Sequence, residues 1–295
     1  MAASPIAPIA VFDSGVGGLS VWREIVALLP YESTLYLADQ AHVPYGWRPP
    51  TEIVALTRSA VAWLRAQGAK LVVIACNTAS AAALHEVRAQ WPDMPIVGME
   101  PAIKPACRRT RAGKVGVMAT PGTLMAQRFH GLIERFAEGV EVYPQACPGL
   151  VEWIEAGRLD DAEVEAQLRT WLTPLLNAGI DELVLGCTHY PFLMPLLRRI
   201  VGDGVDIIDP APAIARQVQR LLQAYAMTAP STATPHHGFY TTGDPSALQG
   251  ALQRLLGWHA TVHSVRLDPD ETESATAAPA SPANPTTTAS WVETR

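Results

Sequence analysis

Short apolar runs that end in polar residues alternate with helical stretches along most of this chain, and that alternation limits its fold more than any other feature. IAVF before Asp13 reads as a strand, and LSVWREIVALL after a glycine-rich turn has helical spacing. STLYLAD, KLVVIA and PIVGM are further strands, with helices over 52–66 and 79–90, the second ended by Trp91-Pro92. Near residue 99 the pattern restarts: VGVMAT at 115–120, a helix from about 122 to 138, GVEVYPQA, helical stretches from 149 to 178, ELVLG, a helix from 191 to 200 and VDIID. A helix from Pro210 to about Ala226, the polar loop MTAPSTATPHHG, the strand FYTTGD and a helix over 245–256 follow. Strands that alternate with helices in this way build parallel sheets covered on both faces. The expectation is an α/β fold of two similar lobes, each a mostly parallel sheet flanked by helices, with the active site in the cleft between them. Residues 1–98 with 209–267 form the first lobe and 99–208 the second. From residue 268 the composition turns to Ala, Pro, Ser and Thr, which cannot bury enough surface to offset ordering entropy, so 268–295 is expected to be a disordered tail with Trp291 an isolated aromatic in it.

Composition excludes several function classes. A chain of 295 residues with 48% hydrophobic content can bury a sizeable core. Its formal net charge of −6 and pI near 5.7 argue against a nucleic-acid surface, which needs clustered cations. The nearest cluster, Arg108, Arg109, Arg111 and Lys114, reads as a solvated helix end. No apolar run reaches the roughly 18 residues of a membrane span, and the start lacks a basic flank, so the expected compartment is the cytoplasm. There is no CxxC or HExxH, so no metal is expected, and in that compartment the four cysteines are expected as thiols.

Two of those cysteines sit in near-matching settings. Cys76 ends KLVVIA and is followed by Asn77, Thr78 and a small-residue helix, and Cys187 ends DELVLG and is followed by Thr188, His189 and another helix. Each reads as a strand, a thiol, then hydroxyl and amide donors at a helix N-terminus, a setting that favours a thiolate. Cys107 and Cys147 lack that strand-end setting and read as packed thiols. Asp13-Ser14-Gly15-Val16-Gly17-Gly18 joins strand to helix but is neither GxGxxG nor a Walker A loop. It reads as a turn whose backbone N–H groups can hold a carboxylate, with Asp13 either exchanging a proton or capping the next helix. Asp13-Ser14, Cys76-Asn77-Thr78, Thr120 with Thr123, and Cys187-Thr188-His189 all fall at strand ends, where open α/β sheets bind ligands. Glu155, in CPGLVEWIEAG, could partner His189, and the residues alone do not separate it from Glu152.

FDSGVGGLSV, ADQAHVPYG, VIACNTASA, GVMATPGT, LVLGCTHYPFL and FYTTGDP together resemble, in order, the bacterial glutamate racemases, from about residue 8 to 267. The resemblance implies a racemase that needs no cofactor, has two cysteines flanking the α-carbon, and supplies D-glutamate for peptidoglycan synthesis. It implies that Cys76 takes the α-proton from D-glutamate with help from Asp13, and Cys187 from L-glutamate with help from His189 and Glu155. Ser14, Pro44, Tyr45, Gly46, Asn77, Thr78, Thr120, Thr123 and Thr188 are implied substrate contacts, and a homodimer is implied as the assembly. The related aspartate racemases usually carry another residue at the position of His189, which favours glutamate.

The chemistry of the residues is compatible with that expectation. Removing an α-proton from an amino acid normally calls for an electron sink, yet the strand-end sites offer no lysine for a Schiff base, leaving placement and electrostatics. A free thiol is only about a few per cent ionised at neutral pH, so helix N-termini after both cysteines are expected to lower their pKa. With no Arg or Lys in the motifs, backbone N–H groups, hydroxyls and Asn77 are expected to hold the two carboxylates. The alternatives are a racemase of aspartate or another acidic compound, a two-lobed amino-acid-binding protein, and a thiol–disulfide oxidoreductase.

Overall fold

The structure, a computed structural model, describes residues 4–267. The segment read as a tail, with Trp291, lies outside the described residues.

Among the described residues, ten strands form two sheets in which every pairing is parallel. The first sheet has the order β10-β9-β2-β1-β3-β4, from β1 (Ile9–Asp13), β2 (Thr34–Ala38), β3 (Leu71–Ile74), β4 (Ile96–Gly98), β9 (His237–Thr241) and β10 (Val262–Ser264). The second has the order β6-β5-β7-β8, from β5 (Lys114–Ala119), β6 (Glu141–Ala146), β7 (Glu182–Leu185) and β8 (Asp206–Ile208). Because each sheet is covered by helices on both faces, its central strands are apolar throughout: IAVF of β1, LVVI of β3 and LVL of β7 are all buried. Separate apolar clusters fill the faces. Trp22, Tyr36, Val218 and Phe239 lie on one side of the first sheet, and Phe12, Leu37, Leu64 and Ile74 on the other.

Several helices divide where the sequence reads one continuous stretch. The stretch over 122–138 is α5 (Pro121–Met125) and α6 (Gln127–Phe136), separated at Ala126, whose backbone is extended. The break lets α5 lie against α3 (Asn77–Gln90) while α6 packs on α4 (Ile103–Arg109), two directions that one straight helix cannot serve. The stretch over 149–178 is α7 (Leu150–Glu155) and α8 (Ala162–Ala178). Asp161 caps α8 by accepting from Glu163 and Val164 N–H at 2.9 and 3.3 Å, and Gly157 makes the intervening turn at φ 78°. The helix read over 191–200 opens with a 3-10 turn, Tyr190–Leu193, before α9 (Met194–Val201). Strand β10, which the sequence reading omits, is three residues long, too short for alternation to register, and it exists because it pairs with β9.

Candidate active site

Strand order reverses at β1/β3 in the first sheet and at β5/β7 in the second, and both crevices carry the polar strand ends. In the first, Ala75 N–H donates to Phe12 O at 2.7 Å, which brings Cys76 beside Asp13. In the second, Gly186 N–H donates to Met118 O at 2.7 Å, which brings Cys187 beside the Thr120 end of β5. The two cysteines therefore occupy the same offset beyond equivalent strands. Ligands bind at such switch points in open α/β sheets.

Each thiol is backed by a carboxylate through one intermediary. Ser14 Oγ stands 3.5 Å from both Cys76 Sγ and Asp13 Oδ1. On the other side His189 Nδ1 lies 3.7 Å from Cys187 Sγ, and its Nε2 lies 2.7 Å from Glu155 Oε1. Glu152, indistinguishable from Glu155 by sequence, is exposed on α7. The carboxylates are interlocked across the sheets. Thr188 Oγ1 donates to Asp13 Oδ2 at 3.0 Å, Val16 N–H donates to Glu155 Oε1 at 2.7 Å, and Ser20 Oγ donates to Thr188 O at 2.9 Å. The DSGVGG turn thus does hold a carboxylate, but it is the protein's own Glu155. Asp13 does not cap α1 (Leu19–Leu28), which follows Gly18 with no side-chain cap. It accepts instead from Gly15 N–H at 2.9 Å.

The remaining residues line the same crevice. Thr78 at the start of α3 meets Thr120 and Thr123 of the second sheet's side, hydroxyl to hydroxyl, at 2.9 and 3.2 Å. Thr120 also caps α5 by accepting from Thr123 N–H at 3.2 Å. Both polar atoms of the Asn77 amide are buried and lack a hydrogen-bond partner, an arrangement that costs free energy unless a ligand supplies one. Pro44 follows a cis peptide and leads into a 3-10 turn, Tyr45–Trp47, in which Gly46 faces Thr120. Close approach requires glycine here: a Cβ on Gly122 would lie 2.8 Å from Gly46 O. Tyr45 is buried, its hydroxyl donating to the buried Asp39 at 2.6 Å.

The electrostatics of the two halves differ. Burial raises the Asp13 carboxyl above the usual aspartate range, outweighing His189, the Gly15 N–H and the Thr188 hydroxyl. Burial, and then Asp13, push the Cys76 thiol up to about 12 against the hydrogen bonds from Ser14 and Ala79 N–H. Burial opposes a charge on His189, but its bonds to Cys187 and Glu155 prevail and hold its pKa well above that of a free imidazole. Burial likewise opposes ionisation of Glu155, yet bonds from His189, Val16 and Gln40 bring its carboxyl below the usual range. His189 and Glu155 are therefore an ion pair beside Cys187, while Cys76 is a neutral thiol.

This corrects the expectation that a helix N-terminus lowers the pKa of Cys76. Cys76 does cap α3, accepting from Ala79 N–H at 3.4 Å, but complete burial beside a carboxylate outweighs that bond. Cys187 is three residues ahead of a 3-10 turn, and α9 starts only at Met194, so the charged neighbour at this thiol is an imidazolium rather than a helix terminus. Cys147 is a second correction: it directly follows β6, at a strand end after all, and packs in one apolar cluster with Cys187 and Tyr190. All four cysteines are free thiols. Sequence reasoning also missed Gln40, whose Nε2 donates to Glu155 Oε2 at 3.3 Å, and Tyr36, whose hydroxyl donates to Gly15 O at 2.7 Å. Gln40 lies inside the ADQAHVPYG motif, the one signal that marks it.

Two parallel sheets thus bring matched thiols to their strand ends, each backed by its own carboxylate, and the chain falls in a racemase class. The pattern of the Asp/Glu/hydantoin racemase family matches residues 9–218, and the chain belongs to that family. Among its relatives, a glutamate racemase from Roseiflexus sp. (strain RS-1) is 54% identical over 249 residues, covering 84% of this chain and 92% of the relative. The Escherichia coli glutamate racemase, solved in complex with L-glutamate and the activator UDP-MurNAc-Ala, is 34% identical with a TM-score of 0.77, covering 88% of this chain and 97% of that one. The Francisella tularensis glutamate racemase, solved with D-glutamate, is 29% identical with a TM-score of 0.79, covering 90% and 99%.

Proposed function

We propose that this chain interconverts L- and D-glutamate without a cofactor, with Cys76 and Cys187 as the two bases, and so supplies D-glutamate for peptidoglycan synthesis. The observation that carries the reading is the equivalent placement of the two thiols, each backed by a carboxylate through one polar intermediary. Glutamate enters between the two sheets, in the cleft between lobes 1–98 with 209–267 and 99–208. Asn77, Ser14, Thr78, Thr120, Thr123, Thr188 and the Pro44-Tyr45-Gly46 segment surround it. The unpartnered Asn77 amide and the hydroxyls satisfy its carboxylates, hydrogen bonds that strengthen as negative charge builds on the α-carboxylate in the transition state.

One thiol must be ionised and the other protonated at the start of each turnover. With L-glutamate bound, the Cys187 thiolate, paired with the His189 imidazolium, removes the α-proton, and neutral Cys76 then delivers its proton to the opposite face of the resulting carbanion. The product enzyme holds a Cys76 thiolate and a Cys187 thiol. That state starts the reverse reaction, with Ser14 and Thr188 donating towards the Cys76 and Asp13 side. Because substrate and product are mirror images, two groups of the same kind suit the two faces. The protein works in the cytoplasm and as a homodimer in this reading.

Incubation of metal-free, cofactor-free protein with L-glutamate in D₂O tests it. Loss of optical rotation with deuterium entering Cα of the D-product is expected, with aspartate turned over far more slowly. No exchange with either amino acid would remove the racemase reading in favour of a binding protein.

A further inference from the structure

We propose that Gln40 is a positioning residue for Glu155, and that the Thr241 turn behind it sets the geometry of the proton-transfer chain at Cys187. The proposal deepens the racemase reading and rests on it.

Glu155 uses its two oxygens unequally. Oε1 accepts from Val16 N–H and meets His189 Nε2, each at 2.7 Å, whereas Oε2 is met by Gln40 Nε2 at 3.3 Å. Two contacts on one oxygen leave the carboxylate free to pivot about it, and a donor on the second oxygen stops the pivot. The Gln40 amide is itself oriented. Thr241 Oγ1 accepts from Gly243 N–H at 3.0 Å, so its own proton is free to donate to Gln40 Oε1 at 2.9 Å. With its oxygen committed to Thr241, Gln40 must present its NH₂ to Glu155.

The backbone beneath Gln40 is held by the same turn. Thr242 Oγ1 donates to Asp39 Oδ1 at 2.6 Å and accepts from Ala41 N–H at 3.1 Å, anchoring the residues on both sides of Gln40. Gly243 packs so closely that a Cβ there would lie 2.9 Å from Gln40 Cβ. The hydroxyls of FYTTGD, which the reaction itself does not use, thus brace the loop that carries Gln40, and through it Glu155, His189 and Cys187.

Kinetics with Cα-deuterated L- and D-glutamate test this, because the chain ends on one of the two thiols. A racemase has an equilibrium constant of unity, so kcat/KM is equal in both directions for any variant, and asymmetry must be sought in isotope effects. Gln40→Leu is expected to lower kcat about five- to tenfold with little change in KM, as loss of one long hydrogen bond of ordinary strength implies. The isotope effect should rise from L-glutamate, where proton removal by Cys187 becomes limiting, and fall from D-glutamate, where reprotonation by Cys187 does. Thr241→Val should give the same pattern at about threefold, by freeing the amide to rotate, and Thr241→Ser should restore the unsubstituted behaviour. If Gln40→Leu fails to fold, the two Thr241 variants carry the test. An unchanged kcat in the folded variants, isotope effects that move together in both directions, or Thr241→Ser as impaired as Thr241→Val would each overturn the proposal while racemisation by the unsubstituted protein stands. Absence of that racemisation would remove the underlying reading as well.

Discussion

Asp13 and Cys76 share a buried volume in which two negative charges do not coexist easily, whereas Cys187 lies beside an ion pair. Burial and Asp13 put the Cys76 thiol at about 12, leaving a thiolate fraction on the order of 10⁻⁴ at pH 8, against about a quarter for a free thiol. Peptide mapping after iodoacetamide treatment at pH 8 should therefore find Cys76 alkylated far more slowly than free cysteine. Asp13→Asn, which removes the neighbouring charge, should speed that labelling while lowering turnover, and labelling of the native protein at the free-thiol rate would contradict the assignment. Cys76→Ala and Cys187→Ala should each reduce racemisation by at least about 10³-fold, since neither face can be served by the other's base; polarimetry measures this directly. The His189–Glu155 pair makes a signed contribution to stability. The raised pKa of His189 gives stability that is complete below the free imidazole value and is lost as pH climbs through the folded one. The lowered pKa of Glu155 gives stability present above the free carboxyl value and lost as pH falls through the folded one. The melting-temperature gap between the native protein and His189→Asn should thus be widest between those limits and narrow on either side.

At the scale of elements, closely packed glycines and caps aim these side chains. A Cβ on Gly17 would overlap His189 Nδ1 and lie 2.5 Å from Thr188 Oγ1, so the first helix can meet the Cys187-Thr188-His189 turn of the second sheet only through a residue without a side chain. Gly17→Ala should cost about 1–3 kcal/mol by overpacking and should impair turnover, as denaturant titration and an activity assay would establish. Thr120 has two duties, capping α5 and meeting Thr78 across the crevice. Its replacement by Val keeps the shape but loses about 1 kcal/mol of cap. The helix divisions at Ala126 and after α7 belong to the same logic, since each frees a short helix to point one residue into the crevice: Thr123 from α5 and Glu155 from α7.

On the scale of the whole molecule, the chain leaves the first sheet after β4, builds the second, and returns to complete the first with β9 and β10. The return brings Thr241 and Thr242 to Gln40 and Asp39, so the late strand supports a loop laid down some two hundred residues earlier. Ending the chain after residue 267 should leave turnover intact. Ending it after Leu256 removes β10 and Trp258, which packs edge-on against Trp22 at 5.3 Å, and should lower the melting temperature by about 5 °C or more. Scanning calorimetry of the two truncated proteins separates these outcomes. Among the described residues, no helix is long and apolar enough to cross a membrane.

By itself the sequence determined the parallel α/β architecture, the two strand-end thiols and most of the polar strand ends around them, because apolar runs bounded by polar residues report local periodicity and those signals are contiguous in the chain. It could not tell Glu155 from Glu152, because that choice depends on which face of a six-residue helix meets His189. Nor could it indicate that the DSGVGG turn is filled by Glu155, that Cys147 ends a strand beside Cys187, or that Gln40 joins the site. Those facts are contacts between segments far apart in sequence. The ionisation of Cys76 was misjudged for a related reason: a helix N-terminus is visible in the chain, whereas burial beside Asp13 exists only once the two strands lie side by side, and burial prevails.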